Sequence, residues 1–298
     1  MTVRKSWRRV DGVLLLDKPT GMTSNSALQA ARRLFSAAKG GHTGTLDPLA
    51  SGLLPLCFGA ATKFAVDLLA ADKTYEADLL FGVMTDTGDA DGSVVERREV
   101  AFVASELEAA LARFRGPIRQ IPPMYSALKR DGKPLYELAR QGIEVEREAR
   151  AVTVHELRLL GFSGDRCRLR VTCSKGTYIR SLAEDLGRAL DCGAHLTALR
   201  RVAVGDLAVA QAVTLDDLAA LSEAVRERCW LLPPDTLLQS LPAVTLDEES
   251  ATRFANGNPV GGGVAPGKCR VYGLGRLLGL GEVDDQGRVQ PRRVIGSA

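Results

Sequence analysis

The chain has 298 residues, of which 45% are hydrophobic and 25% charged, and its formal net charge is +3. This composition is typical of a soluble globular protein that is long enough for a large core and two domains. No apolar stretch approaches the roughly 18 residues that span a bilayer, and the basic N-terminal tail, residues 1–10, lacks the apolar core of a signal peptide. We therefore expect a cytoplasmic protein with no membrane association.

The first predicted elements are a strand over residues 12–16, a turn over residues 18–21 and a helix capped by Ser24. The core face of this helix is expected to carry Leu28, Ala31 and Phe35. Residues 53–58 form a short apolar run, which predicts a buried strand that anchors the loop before it.

That loop carries the most informative residue of the chain. Residues 40–55 read Gly-Gly-His-Thr-Gly-Thr-Leu-Asp-Pro-Leu-Ala-Ser-Gly-Leu-Leu-Pro, and Asp47 is the only acidic residue between Asp17 and Asp67. Because its nearest charges in sequence are basic, the carboxylate is expected to stay ionised and to serve as a nucleophile or a base. The alternative is that Asp47 and Pro48 only start a turn, since aspartate is a favoured turn residue.

Two strands with alternating polarity and a helix follow. Residues 74–81 alternate, and residues 167–173 have one apolar face and one basic or polar face. Apolar residues then recur at helical spacing at Ile179, Leu182, Ala183 and Leu186. This pattern predicts a helix that ends at Gly187 and leaves Tyr178 and Arg180 off its apolar stripe.

Strands outnumber helices and do not alternate with them regularly, which predicts an α+β fold on a mixed, mainly antiparallel sheet. Glycine and proline become dense after residue 234, and residues 257–294 indicate several short strands. We therefore expect a large domain over residues 11–240 and a small β-rich domain over residues 241–298.

Patterns for metals and nucleotides are incomplete. Residues 87–92 resemble the start of a calcium loop, but an arginine occupies the position of the bidentate acid. Residues 262–268 resemble a P-loop, but a cysteine replaces the hydroxyl that binds magnesium. The histidines are too scattered to indicate a metal site, and the six cysteines show no Cys-x-x-Cys spacing. We expect no metal, no cofactor and reduced, mostly buried thiols.

Positive charge is concentrated in two regions. Residues 113–140 carry seven basic and two acidic side chains, and residues 158–201 carry nine and four, so each has a net charge of +5. Such regions fit the phosphate backbone of a nucleic acid, although either one alone could be a solvated face.

Together these stretches resemble the TruB-type tRNA pseudouridine synthases over nearly the whole chain. The matching segments include Leu-Asp-Lys-Pro-Thr-Gly at 16–21, the loop at 41–55, Lys-Thr-Tyr at 73–75, Gln-Ile-Pro-Pro-Met-Tyr-Ser-Ala-Leu-Lys at 120–129, residues 173–180, residues 199–201 and Asn-Gly-Asn-Pro at 256–259. The resemblance implies that one uridine in the T-loop of tRNA, conventionally position 55, is isomerised to pseudouridine. It also implies a pseudouridine synthase fold with a C-terminal PUA-like RNA-binding domain.

The resemblance assigns roles to particular residues. Asp47 matches the catalytic aspartate, which acts on the sugar as carboxylates do in retaining glycosidases. Arg180 matches the arginine that pairs with this aspartate and keeps it ionised. Tyr75 matches the tyrosine that stacks on the flipped-out uridine, and it is a candidate base for the C5 proton.

Four further residues are expected to bind the substrate. Tyr178 and Leu199 match residues that hydrogen-bond and pack around the base, although Leu199 could also be an ordinary core residue. His42 matches the histidine that fills the space vacated by the flipped base. Lys18 matches a motif that supports the wall of the active site.

The expected partner is the T-arm of tRNA, bound by a monomer without a guide RNA. The insertion that closes over the RNA would span residues 113–150. Two other functions remain open, an RNA chaperone that performs no chemistry and a guide-RNA-dependent relative of the eukaryotic and archaeal type. The presence of Asp47, Tyr75 and Arg180 together favours an enzyme, and the short C-terminal domain favours the stand-alone bacterial form.

Overall fold

The computed structural model of the chain describes residues 6–126, 128–130, 132–263 and 265–296, so half of the predicted basic tail lies outside it. Its strands are β1 (Gly12–Lys18), β2 (Gly40–His42), β3 (Ala50–Phe58), β4 (Lys73–Phe81), β5 (Val83–Thr85), β6 (Val94–Arg97), β7 (Gly116–Gln120), β8 (Lys129–Arg130), β9 (Lys133–Pro134), β10 (Arg150–Ser163), β11 (Arg166–Cys173), β12 (Ala194–Val204), β13 (Leu207–Ala208), β14 (Ala243–Thr245), β15 (Val260–Gly261), β16 (Gly267–Gly273), β17 (Arg276–Val283) and β18 (Arg288–Val294). Its α-helices are α1 (Ser24–Phe35), α2 (Ala65–Leu69), α3 (Ala104–Ala112), α4 (Leu135–Arg140), α5 (Ile179–Ala189), α6 (Leu215–Ala220), α7 (Glu223–Trp230) and α8 (Glu248–Ala255). Short 3₁₀ helices lie at Gly59–Lys63, Val209–Gln211 and Pro234–Leu238.

The largest sheet in these ranges has nine strands. Its order is β1-β3-β12-β4-β11-β10-β7, with β2 paired to β3 and β13 paired to β12. Every pair is antiparallel except β3 with β12, so the predicted α+β fold with a mixed, mainly antiparallel sheet is confirmed. The parallel pair brings Ala50, at the start of β3, opposite Leu199 of β12.

The main core lies between this sheet and α5. The predicted strands over residues 74–81 and 167–173 correspond to β4 and β11, and their apolar sides form one cluster with the inner face of α5. The members contributed by these three elements include Ala77, Leu79, Phe81, Leu169, Val171, Leu182 and Leu186. Burying a large apolar side chain contributes about 2 kcal/mol, so this cluster fixes the start of α5 against the sheet.

The predicted cap of α1 is wrong by one residue. Thr23 is the N-cap, since its hydroxyl accepts a hydrogen bond from the amide of Ser26. The hydroxyl of Ser24 instead donates to the carbonyl of Leu46 at 2.9 Å and accepts from the amide of Leu46 at 2.7 Å. Ser24 is buried and joins α1 to the loop that carries Asp47. The hydroxyl of Ser24 therefore bonds to the main chain of another segment and does not cap the helix.

The predicted end of α5 at Gly187 is also wrong, because α5 continues to Ala189. Gly187 lies on the buried side of the helix, where a Cβ would overlap the amide nitrogen of Ala194. The glycine therefore allows close approach of the chain entering β12, and it does not serve as a C-terminal cap.

A second sheet of five strands lies in the C-terminal part, in the order β14-β16-β17-β18-β15, with α8 packed on it. It is joined to the rest of the molecule by an ion pair of 2.8 Å between Lys268 and Asp67 and by Leu280, which packs with Leu15 and Leu53. In the other part, the chain leaves the nine-stranded sheet between β7 and β10 to form the β8–β9 hairpin and α4. No described helix is long and apolar enough to cross a membrane.

Buried thiols make stability sensitive to alkaline pH. Burial raises the pKa of Cys57 and Cys167 to about 12 and that of Cys173 to about 11. Thiols of the unfolded chain ionise near pH 9.0, whereas these stay protonated in the folded protein. The stabilisation is therefore complete below pH 9 and is lost as pH rises towards the folded-state pKa values.

We expect the stability difference between the wild type and Cys57→Ala to shrink by about 1.4 kcal/mol from pH 8 to pH 10. Urea unfolding at the two pH values measures it. Cys229→Ala is the matched control, because that thiol is exposed. A difference that stays constant for Cys57→Ala, or shrinks equally for both variants, would contradict the account.

Candidate active site

The loop that carries Asp47 is held from three sides. The amide of Thr43 donates to the carbonyl of Pro55, and the amide of Gly21 donates to the carbonyl of Pro48. The two bonds between Ser24 and Leu46 fix the residue directly before Asp47. The carboxylate is therefore presented by a constrained loop immediately before β3, as predicted from the apolar run over residues 53–58.

Arg180, in the first turn of α5, holds this carboxylate. Its Nη2 lies 2.9 Å from Oδ2 of Asp47 and donates to the carbonyl of Tyr125 at 2.6 Å. Nη1 donates to the carbonyl of Thr87 at 3.1 Å, and Nε lies 3.5 Å from Oδ2 of Asp89. The side chains of Arg180 and Asp89 are each only 7% exposed, whereas that of Asp47 is 45% exposed. The guanidinium is thus fixed on its buried side, and Asp47 occupies its open side.

The pKa of Asp47 reflects opposing effects. Burial raises it above the ordinary value, Arg180 lowers it, and the nearby carboxylate of Asp89 raises it again. The net direction is upward, so pairing with Arg180 offsets only part of the cost of desolvation. The idea that Asp47 has no acidic neighbour holds in sequence but not in space, because Asp89 shares its arginine.

A cavity of about 300 Å³ opens beside this ion pair and brings together five residues predicted for the site. They are Asp47, Tyr75, Tyr178, Arg180 and Leu199. Arg201 and Lys73 line the same cavity. Its size and its combination of aromatic, aliphatic and charged groups suit one nucleoside-sized ligand.

Burial raises the pKa of both cavity phenols, Tyr75 and Tyr178. Arg201 lowers the pKa of Tyr75 but does not reverse the shift. Tyr75 therefore stays protonated at neutral pH. A protonated phenol is a poor base, and the side chain of Tyr75 lines the cavity, so stacking and a base role both stay predictions.

His42 lies in an adjoining cavity of about 640 Å³, which shares Asp47 and Arg180 with the first. Its pKa is lowered by burial and by Arg201, so the ring is neutral at neutral pH. Its Nδ1 atom is buried and has no hydrogen-bond partner in the described part of the chain. His42 therefore lies apart from Tyr75, Tyr178 and Leu199 but lines a cavity with Asp47 and Arg180.

Lys18 lines neither cavity. It is fully buried, and its ammonium group donates to the carbonyls of Pro19 at 2.8 Å and Met22 at 2.6 Å. Burial lowers its pKa to about 8, although the charge of Asp47 raises it in part. The predicted substrate contact is not supported, because the group is out of reach of a ligand. Its position fits the other part of the prediction, support of the site wall.

Three buried residues of the site were not predicted from the sequence. Asp89 lay within the incomplete calcium-loop pattern, Arg201 lay within a basic stretch, and Gln120 appeared only as part of a matching segment. Arg201 is 1% exposed and donates to the carbonyls of Leu53 and Gly44. No local pattern marks these contacts, because each joins elements that are distant in sequence.

Metal binding has no support from the described residues, which contain no cluster of three or more potential ligands.

We expect Asp89→Asn to lower kcat by about 10 to 100-fold, because a neutral amide holds Arg180 less firmly than a carboxylate does. Steady-state kinetics with the uridine-containing RNA that the resemblance implies as substrate measure the effect. Asp86→Asn is the matched control, since Asp86 is an exposed acid of the same loop that bonds only the amide of Ser93. Equal kcat values for the two variants would contradict a role for Asp89 in holding Arg180.

Family models match the chain in three consecutive parts. Residues 32–179 match the N-terminal domain of the TruB family of pseudouridylate synthases. Residues 180–239 match the C-terminal domain of tRNA pseudouridylate synthase B, and residues 242–295 match the C-terminal part of pseudouridine synthase II TruB.

Similar proteins match over the full length. The chain is 62% identical to tRNA pseudouridine synthase B of Dechloromonas aromatica (strain RCB), with 99% of each chain covered. It is 58% identical to the protein of the same name from Azoarcus sp. (strain BH72), with 99% of this chain and 98% of the relative covered. A chain in a solved H/ACA RNP bound to a substrate RNA containing 2′-deoxyuridine shares the fold, with a TM-score of 0.73 at 24% identity, over 96% of this chain and 85% of that one. The chain belongs to the TruB family of pseudouridine synthases.

Proposed function

We propose that this protein isomerises one uridine of tRNA, at the T-loop position conventionally numbered 55, to pseudouridine. The relatives matched over its full length are named tRNA pseudouridine synthase B. The observation that carries the assignment is the ion pair of 2.9 Å between Asp47 and Arg180 at a cavity lined by two tyrosines. This arrangement supports a role for the carboxylate in the reaction and a role for the tyrosine rings in stacking on the base.

The reaction requires no net oxidation or reduction. The bond between C1′ of the ribose and N1 of uracil breaks, the base rotates, and C5 forms a new bond to C1′. The proton lost from C5 is balanced by the proton gained at N1. A carboxylate can act on the electron-poor anomeric carbon or remove a proton from the ribose, and no cofactor is needed.

Asp47 is assigned to this step, with Arg180 orienting its carboxylate and Asp89 orienting Arg180. The raised pKa of Asp47 reflects incomplete solvation of its charge, which leaves the carboxylate more reactive than one in water. The guanidinium nevertheless favours the ionised form. Asp89 and the carbonyls of Thr87 and Tyr125 fix Arg180 before substrate arrives, so the ion pair needs little reorganisation during the reaction.

The target base must leave the T-loop to reach Asp47, because its reacting atoms are inaccessible in the folded RNA. Tyr75 is assigned to stacking on the flipped base, and Tyr178 and Leu199 are assigned to its edges. His42, with its unpartnered Nδ1, is assigned to the RNA around the vacated position. The separation of His42 into the adjoining cavity agrees with this division of roles.

We assign residues 11–240 to the catalytic domain and residues 113–150, within it, to an insertion that closes over the T-arm. Residues 241–298 are assigned to a PUA-like RNA-binding domain. The protein acts in the cytoplasm as a monomer without a guide RNA. The net charge of +5 over residues 113–140 supports contact with phosphates.

Tritium release from an unmodified tRNA transcript labelled at C5 of uridine tests the proposal. The purified chain alone is expected to release one equivalent of tritium per transcript, although every uridine of the transcript carries the label. A transcript with cytidine at position 55 should release none. Release that requires an added guide RNA, or that persists after the T-loop substitution, would contradict the assignment.

A further inference from the structure

The N-terminal half of the insertion, from the end of β7 onward, is bonded directly to the start of α5. This segment, residues 120–126, is defined here as the root of the insertion. The carbonyl of Ile121 accepts a hydrogen bond from Ser181 at 3.2 Å, and that of Tyr125 accepts one from Arg180 at 2.6 Å. Both donors belong to the first turn of α5, so the root is hydrogen-bonded to the part of the helix that carries Arg180.

Gln120 makes the most specific of these contacts. Its Oε1 accepts from the amide of Tyr178 at 3.0 Å, and its Nε2 donates to the carbonyl of Tyr178 at 3.2 Å. One side chain thus satisfies both main-chain groups of the residue that caps α5. Gln120 is 1% exposed and ends β7, where its main chain is paired with Arg150 of β10.

The two bonds from Gln120 also affect the first cavity, because they hold the main chain of Tyr178. Tyr178 has an extended backbone, with φ −105° and ψ 114°, and its side chain lines the first cavity. Two hydrogen bonds from one rigid amide restrict rotation of the backbone on both sides of its Cα atom. Arg180 follows only two residues later, so the same clamp fixes the direction in which the first turn of α5 presents its guanidinium.

We propose that Gln120 is a positioning residue that acts through Tyr178 and α5 to place the side chains of Tyr178 and Arg180. It touches neither the substrate nor Asp47, and it joins the root of the insertion to the catalytic ion pair. This role rests on the proposed function, because its consequence is the rate of uridine isomerisation. A glutamine with only a packing role would affect stability but would not act through Tyr178.

The test is a kinetic cycle with Gln120→Met, Tyr178→Phe and the double variant. We expect Gln120→Met to lower kcat by about 10 to 100-fold while KM for tRNA changes by less than about two-fold, since small displacements of reacting groups are costly. The loss in the double variant should be smaller than the product of the two single losses, because both changes act on one unit. Gln120→Glu retains the acceptor for the amide of Tyr178, so its loss of kcat should be smaller than that of Gln120→Met.

Gln211→Ala is the matched control, because Gln211 is an exposed glutamine whose side chain also accepts from a main-chain amide, that of Ala208 at 3.1 Å. It should leave kcat and KM unchanged. If Gln120→Met does not melt cooperatively, the same cycle is run with Gln120→Glu. Wild-type kcat in the folded Gln120 variant, a loss confined to KM, or fully multiplicative losses would overturn the inference. An inactive wild-type chain would instead remove the proposed function, and this inference with it.

Discussion

Asp47→Asn is expected to abolish pseudouridine formation, with kcat lowered by about 10⁴-fold or more. Asparagine has nearly the same shape and still accepts a hydrogen bond from Arg180. It lacks the charge needed to act on the anomeric carbon or to remove a proton. Because the contact proposed for this carboxylate is with the sugar and not with a phosphate, the Kd for tRNA should change by less than about two-fold.

Thermal unfolding separates this loss from a folding defect. The raised pKa of Asp47 means that its ionised form is less favourable in the folded than in the unfolded chain. This penalty appears as pH rises above the unfolded-state value of 3.8, and a neutral asparagine does not have it. We therefore expect the variant to melt no lower than the wild type at neutral pH. Asp206→Asn, in an exposed turn after β12, is the control and should retain full activity.

The second large effect is expected for Arg180→Met, which should lower kcat by about 10³-fold and stability by about 3 kcal/mol. The change leaves Asp89 buried without its cation and removes the donor that orients Asp47. Asp47 and Asp89 then repel each other with no positive charge between them, which raises the pKa of Asp47 further. Single-turnover rates and urea unfolding measure the two effects separately.

Arg180→Lys separates the effect of the positive charge from that of the guanidinium geometry. A lysine keeps the positive charge but cannot reproduce the planar arrangement that contacts Asp47, Asp89 and two carbonyls at once. We expect it to recover stability more than activity. Arg188→Met is the matched control in the same helix, because Arg188 is 75% exposed and pairs only with Asp185 at the surface. Equal losses in the Arg180→Met and Arg188→Met variants would exclude a special role for Arg180.

Four of the nine strands of the main sheet, β1, β3, β4 and β11, were predicted from the sequence, because they carry their own signals. β4 and β11 alternate in polarity and have an apolar face, and β3 is a continuous apolar run. Their order in the sheet was not predicted. The parallel neighbour of β3 is β12, which follows it by more than a hundred residues, and no local pattern encodes that pairing.

Helix ends were predicted less accurately, for reasons that lie in tertiary contacts. Ser24 has the chemistry of a cap, but the main chain of Leu46 binds its hydroxyl. Gly187 has the chemistry of a helix end, but the close approach of Ala194 requires a glycine inside the helix. In both cases a residue suited to a local role is used for a contact with a distant segment.

The five residues of the first cavity were identified through the resemblance, and their meeting in space agrees with that identification. Asp89 was not identified, because its burial and its contact with Arg180 join segments that are distant in sequence. Gln120 was not identified either, since a glutamine at the end of a strand has no distinctive pattern. Side chains that hold the reacting groups were thus harder to predict than the reacting groups themselves.

Site-resolved mass mapping of one unmodified tRNA transcript, incubated with the wild type and with Asp47→Asn in parallel, tests the central claim most directly. The wild type is expected to form pseudouridine at T-loop position 55 alone, and the variant is expected to form none. Pseudouridine at another position, or formation at the wild-type rate by Asp47→Asn, would contradict the account.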